Sequence, residues 1–503
     1  MIPMENLYRS IIPNPAEQPE RLNATLERIQ EVARQVLKEK APDLSAVLAR
    51  VDLLGQGPRD PVNSDQGQVI SRSLADVSDI FQAHRMAALL DYAELSAEEA
   101  IELHEAYKIP VSKLEKDIIP VAGEGAWITD INGKCYLDLD SNYGAANLGM
   151  NNREIARAIF NQASKLISVK EDRVHIARAR FLKTFKDMLP KELSQFYWQN
   201  SGGEAVDKCL KMAKAYTGQT GVVAFHGGFH GRTHGAVAVT HNPKYRKPFG
   251  LDKVDWVHFV PFNDATAVED LFAKRKAKIV ILELVQGEEA GIRPASPLFV
   301  KALRQICNHY DGVMIGDEVQ TGFGRTAEEE GQWFACQHYG VVPDILAIGK
   351  SFGGGYPVTA VVTQEAISRA MQPGYDGSTF GGNPLAMVAA TVATRQMQRI
   401  NLTRNVVLRS AQMKKGLQIL KQNHPLLRDI RIMGLFIGLD LPSARHVAHF
   451  QKIMAELGAK SSLSTEATVR LLPPLIISEQ EVEFLLDNMD KALQALPEKG
   501  ERS

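Results

Sequence analysis

Cysteine is scarce: the 503-residue chain has four, at Cys135, Cys209, Cys307 and Cys336, widely scattered and never in a Cys-x-x-Cys pair. That argues against a disulfide framework or a thiolate metal site and fits reduced thiols in a cytosolic protein. An excess of one charge is missing too. Lys and Arg number 58 against 59 Asp and Glu, a formal net charge of −1, so no global field draws nucleic acid or an anionic membrane. The short basic clusters at 244–247 and 274–278 read as solvated faces. No apolar run approaches membrane-spanning length. Residues 1–6 lack the basic patch and apolar stretch of a signal peptide, and no internal repeat or low-complexity stretch is present. The expectation is a cytoplasmic protein that engages neither membrane nor nucleic acid and holds no metal.

What is present is ample material for a large core: 45% hydrophobic residues, with 38 Gly and 24 Pro to punctuate them. Length alone suggests roughly two to four domains. Residues 1–112 differ from the rest. Over 20–40, Leu22, Leu26, Ile29, Val32, Val36 and Leu37 recur at helical spacing. Helical patterning returns over 72–92 and from Ser96 to Tyr107, where Ser96-Ala97-Glu98-Glu99 has the form of a capping box. This segment reads as a helical appendage without a nucleophile or phosphate loop, suited to packing, assembly or contact with a protein partner.

From Pro120 the pattern changes. Residues 123–134 alternate around Asn132-Gly133, a strong hairpin signal. Strands are predicted at 222–225, 236–240, 254–260, 278–284, 313–315, 345–348 and 358–362, with helices between them such as 297–310. That alternation predicts an α/β fold, a mostly parallel central sheet with helices on both faces. After residue 386 a long helix rich in small residues, a strand at 434–439 and a helix at 479–496 read as a smaller α+β domain. The expected division is 1–112 (appendage), 113–165 (first part of the small domain), 166–385 (large domain) and 386–503 (second part of the small domain).

The chemistry concentrates in residues 316–355. Two apolar runs each end in polar groups, Asp317-Glu318-Val319-Gln320 after the first and Gly349-Lys350 before three glycines after the second. Open parallel sheets bind ligands at strand carboxyl ends, so an acid, an amide and a lysine converge on one crevice. That set suits pyridoxal 5'-phosphate, which needs a lysine for its aldehyde and an acid for its ring nitrogen. Val319, two residues beyond Asp317, faces the same side of a continuing strand and can cover a ring face. Gln320 can bond the ring's phenolic oxygen. Ser201-Gly202-Gly203 precedes a helix, where free amides and the helix dipole favour a phosphate. Phe229 follows a predicted strand and can stack on a planar ring. Arg232 can clamp a carboxylate.

Together these residues resemble the class-III pyridoxal-phosphate aminotransferases, the group of ornithine, acetylornithine and 4-aminobutyrate aminotransferases. The resemblance covers roughly 115–495. It is carried by Gly123–Ala126, Ser201–Ala205, Phe229–Thr233, Val285–Glu288, Asp317–Thr326, Gly349-Lys350, Ser378–Pro384 and Arg470–Leu475. It implies the fold-type-I architecture and a homodimer with shared active sites. Ser201, Gly202 and Gly203 would hold the phosphate, with Ser378 and Thr379 arriving from the partner subunit. Phe229 would lie on the ring with His230 beside it. Tyr143, Arg232, Glu288 and Arg470 would meet substrate, Arg470 through a carboxylate and Glu288 as the group that pairs with Arg470 when an ω-amino donor is bound. Tyr143 favours an ornithine-like donor. Three positions depart from the family pattern: Leu284 after Glu283, Glu289 after Glu288, and Met150 after Leu148-Gly149.

The function implied is transfer of an ω-amino group from an ornithine-, acetylornithine- or 4-aminobutyrate-like donor to 2-oxoglutarate, giving a semialdehyde and glutamate by a ping-pong mechanism. The alternatives are an isomerase, racemase or phospho-lyase on the same scaffold, or a non-catalytic cofactor-binding regulator recruited through residues 1–112. Glu288 with Arg470 favours transamination, since a racemase or lyase has no need to alternate donors. An intact Lys350 and Asp317 disfavour the regulator.

Overall fold

In the computed structural model the described residues are 95–497. The expected helices over 20–40 and 72–92 lie outside them, as does most of the appendage. By contacts the chain separates into two units between Asp117 and Ile118. In the first, a helix spans Ala97–Tyr107, capped where expected: Ser96 Oγ accepts the Glu99 N–H at 3.1 Å. This satisfies one of the amides that a helix start leaves unpaired.

The second unit opens with three antiparallel strands, β1 (Pro120–Glu124), β2 (Trp127–Asp130) and β3 (Cys135–Asp138). The predicted Asn132-Gly133 turn joins β2 to β3. Asp130 Oδ1 accepts the amides of Asn132 and Lys134, and Gly133 takes φ +82°, a left-handed value that favours glycine.

The large sheet comes next. Its strands are β4 (Gln195–Gln199), β5 (Val222–Phe225), β6 (Val257–Val260) and β7 (Ile279–Glu283). A short ribbon of β8 (Val285–Gln286) and β9 (Arg293–Pro294) leads on to β10 (Val313–Asp317), β11 (Ile345–Ile348) and β12 (Thr359–Thr363). The seven-stranded order is β4-β12-β11-β10-β7-β5-β6. From β6 to β11 every pairing is parallel, and β12 runs antiparallel to both its neighbours. Each strand feeds two cores because side chains alternate across a sheet. Val222, Ala224, Ile279, Ile281, Val313 and Ile315 pack with Val206, Leu210 and Ala213 of the helix Gly202–Thr217 on one face. Val223, Phe225, Val280, Leu282 and Met314 pack on the other, with Phe299 and Leu303 of the helix Pro297–His309. Helices therefore cover both faces, as a buried parallel sheet requires.

One expectation fails locally, and one strand is not among those expected. Residues 236–240 are not a strand; His234–Val239 is a helix whose Ala236, Val237, Ala238 and Val239 are all buried. A short run of apolar residues does not distinguish a buried strand from a buried helix, and here the tertiary environment selects the helix. The edge strand β4, Gln-Phe-Tyr-Trp-Gln, is not among the predicted strands.

The C-terminal part begins with the helices Pro384–Arg399 and Leu402–Asn423. A four-stranded sheet comes after them, made of β13 (Asp429–Met433), β14 (Phe436–Asp440), β16 (Ser462–Thr465) and β17 (Thr468–Leu471), while β15 (Ala459–Lys460) joins β3. The last helix among the described residues is Glu479–Gln494, with Ser478 and Glu481 forming a complete capping box.

Candidate active site

β10 and β11 are parallel neighbours with Asp317 opposite Ala347, so the acid and the lysine three residues further on emerge at one sheet edge. They border a cavity of about 550 Å³ that is also lined by Ser201, Gly202, Gly203, Phe229, His230, Arg232, Val319 and Gln320. Ten of the sequence-predicted residues thus meet in one place.

Asp317 is buried and held from two sides. Its Oδ1 accepts the Val319 amide at 3.1 Å, and its Oδ2 lies 2.8 Å from His230 Nδ1. Lys350 sits at φ +47°, a left-handed angle uncommon for a side-chain-bearing residue. The turn that Lys350 opens over-determines that angle. Lys350–Gly353 is a 3-10 turn, Ser351 Oγ donates to the Gly144 carbonyl at 2.8 Å, and Phe352 stacks on Phe323 at 5.5 Å within a buried aromatic cluster. Burial pushes the Lys350 amine down to about 8; Arg470 adds to that, while Glu288, Asp317 and Glu283 oppose it.

The helix Gly202–Thr217 starts at Ser201, whose hydroxyl and Glu204 form a reciprocal capping box. The first turn is crowded against its surroundings. A Cβ on Gly202 would lie 2.9 Å from Val319 Cγ1, and one on Gly231 (φ +124°) would lie 2.7 Å from Gly203 Cα. Side chains are excluded, and the bare backbone of Gly202 and Gly203 lines the cavity at a helix start, where free amides favour an anion. This cradle, a buried acid and a half-buried lysine fit pyridoxal phosphate: an anion site at one end, an acid for the ring nitrogen, and an amine for the aldehyde.

A second cluster brings together three of the four residues expected to meet substrate, Tyr143, Glu288 and Arg470. Arg470 on β17 is fully buried and ion-paired with Glu288; its Nε donates to Ser462 Oγ at 3.2 Å, and its Nη2 lies 4.0 Å from Asp140 Oδ1. Its guanidinium sits 5.3 Å from the ring centroid of Tyr143. Tyr143 belongs to a rare run of three left-handed residues, Ser141, Asn142 and Tyr143 at φ 47°, 51° and 57°. Asp138 steadies the run by accepting the amides of Asp140 and Ser141, and Gln320 Nε2 donates to the Tyr143 carbonyl at 3.1 Å. Burial raises the Asp138 carboxyl to about 6. Arg232 lies apart from this cluster, 4.0 Å over the Tyr245 ring and 5.2 Å over Phe229.

Ser378 and Thr379 do not line the cavity. The Ser378 amide donates to Glu171 Oε2 at 2.9 Å, and its hydroxyl accepts from Gly381. The departures divide as well. Leu284 is buried, and Met150 packs on the β1 hairpin with its amide on the Gly125 carbonyl. Glu289 accepts from Tyr245 and Asn242.

Sequence reasoning missed Glu283 and Tyr245. Glu283 ends β7 in register with Asp317, is buried, and accepts the Phe229 amide at 2.8 Å. Burial raises it to about 7, with Asp317 adding to the rise and His230 opposing it. The strand-end logic that found Asp317 also reaches it. Tyr245 lay in a basic cluster read as solvated. Lys244 and Lys247 are exposed, but Tyr245 and Arg246 are half-buried and packed against Arg232 and Phe259.

The parallel sheet with its antiparallel β12, and the lysine and acid at its edge, define a fold-type-I pyridoxal-phosphate-dependent transferase. Comparison with known proteins makes this specific. The sequence model of the class-III aminotransferases matches residues 110–493, and the chain belongs to that family of pyridoxal-phosphate-dependent transaminases. It is 37% identical over 367 residues to the acetylornithine aminotransferase of Archaeoglobus fulgidus, covering 73% of this chain and 93% of that one. It is 35% identical over 388 residues to the [LysW]-aminoadipate semialdehyde transaminase of Deinococcus radiodurans, covering 77% and 88%. Among solved structures, the ornithine aminotransferase of Toxoplasma gondii shares the fold with a TM-score of 0.75 at 24% identity, covering 81% of this chain and 97% of that one. No helix among the described residues is long and apolar enough to cross a membrane.

Proposed function

We propose that the protein transfers the ω-amino group of an ornithine-, acetylornithine- or 4-aminobutyrate-like donor to 2-oxoglutarate, releasing a semialdehyde and glutamate in a ping-pong cycle. The observation that carries this reading is the Glu288–Arg470 ion pair in a buried position beside Tyr143. A bare buried guanidinium would disfavour any donor that brings no carboxylate to it, because an unpaired buried charge is costly. With Glu288 on it, the pocket accepts a neutral chain; when Glu288 swings away, Arg470 receives the α-carboxylate of glutamate or 2-oxoglutarate. One pocket then serves both half-reactions. The names of the relatives, acetylornithine aminotransferase and [LysW]-aminoadipate semialdehyde transaminase, agree with a donor of this kind.

Bound pyridoxal phosphate supplies an aldehyde for the amine and a ring that accepts electron density. The chain's own residues do the rest. The Gly202 and Gly203 amides would bind the phosphate. Asp317, steadied by His230, would keep a proton on the ring nitrogen. Phe229 and Val319 would cover the ring, and Gln320 would bond its phenolic oxygen. Lys350 Nζ would anchor the group and, once the donor's amine has displaced it and left it a neutral amine, would take the proton from the donor carbon that bears nitrogen. Arg232 would grip the far carboxylate of the substrate.

We read the assembly as a cytoplasmic homodimer in which Ser378 and Thr379 reach the partner's phosphate site. Their loop is tied to a segment with exposed apolar residues. Glu171 holds the Ser378 amide, His175 and Arg178 hold the Gly382 carbonyl, and Val174 between them is 95% exposed. A second subunit would bury that surface.

The test is a half-reaction screen. Ornithine, N-acetylornithine, 4-aminobutyrate and glutamate are added singly to the holoenzyme while the absorbance of the bound cofactor is followed. At least one ω-amine and glutamate should each convert it, and 2-oxoglutarate should restore it. Racemisation of an α-amino acid with no ω-amine response would overturn the reading.

A further inference from the structure

We propose that Glu289 is a positioning residue for the donor pocket, acting through Tyr245 to hold Arg232 ready for a substrate carboxylate. The inference rests on the proposed function only in taking Arg232 as the carboxylate grip. Glu288 and Glu289 are consecutive, yet their side chains serve different arms of the pocket. Glu288 goes to Arg470 on β17, and Glu289 goes to the short helix Pro243–Arg246 and its N-cap Asn242. Both Glu289 oxygens are engaged: Oε1 accepts the Tyr245 hydroxyl at 2.7 Å, and Oε2 accepts Asn242 Nδ2 at 2.7 Å. Asn242 is fixed at its other end, since its Oδ1 accepts the Lys244 amide. The carboxylate therefore fastens the Tyr245 ring at its tip.

That ring is what Arg232 rests on. The guanidinium lies 4.0 Å from the Tyr245 centroid and 5.2 Å from that of Phe229, and the two rings meet edge to face at 80°. Arg232 stands in an aromatic corner, and among the described residues no carboxylate forms an ion pair with it. The distinction matters chemically. A carboxylate partner would occupy the guanidinium's fork of donors, whereas an aromatic face orients the plane and leaves the in-plane N–H groups for a ligand. A hydrogen bond from the Tyr245 hydroxyl to an anion also enriches the ring in electron density, which strengthens its hold on a cation. Burial and the Glu289 contact both raise the Tyr245 hydroxyl's pKa, so it stays protonated and donating.

The test compares holoenzymes of wild type, Glu289→Ala, Glu289→Gln, Tyr245→Phe and the Glu289→Ala/Tyr245→Phe double variant. Ornithine serves as a carboxylate-bearing donor and putrescine as a carboxylate-free one. Glutarate, which cannot react, is titrated against the cofactor absorbance to give a Kd. Glu289→Ala should raise the ornithine KM and the glutarate Kd about tenfold while kcat moves by less than about threefold. The putrescine half-reaction rate should change by less than about twofold. Tyr245→Phe should match Glu289→Ala, with no further loss in the double variant, because the two act as one unit. Glu289→Gln, which can still accept from the hydroxyl, should recover most of the affinity. Equal losses for ornithine and putrescine, additive losses in the double variant, or an unchanged glutarate Kd would each overturn the proposal. A wild-type enzyme that uses no ω-amine would sink the proposed reaction alone, since the glutarate series still reads the placement of Arg232.

Discussion

Lys350 combines three physical demands at one residue: a left-handed backbone, burial, and neighbours of both charges. Because its amine is pushed down to about 8, mainly by burial, the nucleophilic neutral form grows as pH rises through that value. The rate at which apoprotein takes up pyridoxal phosphate should therefore climb between about pH 7 and 9 and then level off, as stopped-flow absorbance would show. Lys350→Ala should lose borohydride-fixable cofactor mass altogether and lower kcat by roughly 10²–10⁴-fold. Retention of the mass shift would identify another anchor. At Glu288 the expected change is in preference. Glu288→Gln keeps the shape but removes the charge facing Arg470, so kcat/KM for an ω-amine should fall relative to glutamate by about tenfold or more. Parallel half-reaction kinetics check it. Lys350 was legible in the sequence because a lysine between an apolar strand and three glycines is chemically unusual, whereas Glu288 was reached only through the family resemblance. Glu283 also stands at a strand end and was passed over, while Tyr245 was hidden by the lysines beside it.

At the scale of elements, the proposed phosphate cradle depends on two backbone segments approaching more closely than side chains allow. Gly231→Ala places a methyl 2.7 Å from Gly203 Cα at a φ of +124°. The strain should cost about 1–3 kcal/mol, seen as a lower apoprotein Tm. Displacing the helix start should also weaken cofactor binding by about tenfold or more, which fluorescence titration would measure. A normal cofactor Kd would show that the amides tolerate the shift. The element itself was readable, since Ser201-Gly202-Gly203-Glu204 carries both the cap and the glycines. The next element was not. Residues 236–239 are apolar at every position, and only packing against the helix Gly202–Thr217 and its neighbours makes them helical.

For the whole molecule, the proposed sharing of active sites between two subunits has a direct consequence. A Lys350→Ala subunit lacks the amine, and a Thr379→Tyr subunit would block the phosphate site of its partner. Each homodimer should be nearly inactive. After refolding a mixture, half the dimers are mixed and each has one intact site, so activity should return to about one quarter of wild type. Activity that stays at the homodimer level would place Thr379 outside the partner's site.

The sequence by itself determined the cofactor and the α/β class. Strand-end chemistry and the twofold alternation of buried strands are local properties that a linear pattern records. It also carried the pairing of Glu288 with Arg470, though only through resemblance, since the two are 182 positions apart and no local rule joins them. Tertiary structure decided the rest. It selected helix over strand at His234–Val239, buried Glu283 beside Asp317, and turned Tyr245 from a surface residue into the platform under Arg232. The reason is the same in each case. Burial and electrostatic environment depend on which segments meet in space, and a side chain's neighbours across the fold are not written in its neighbours along the chain.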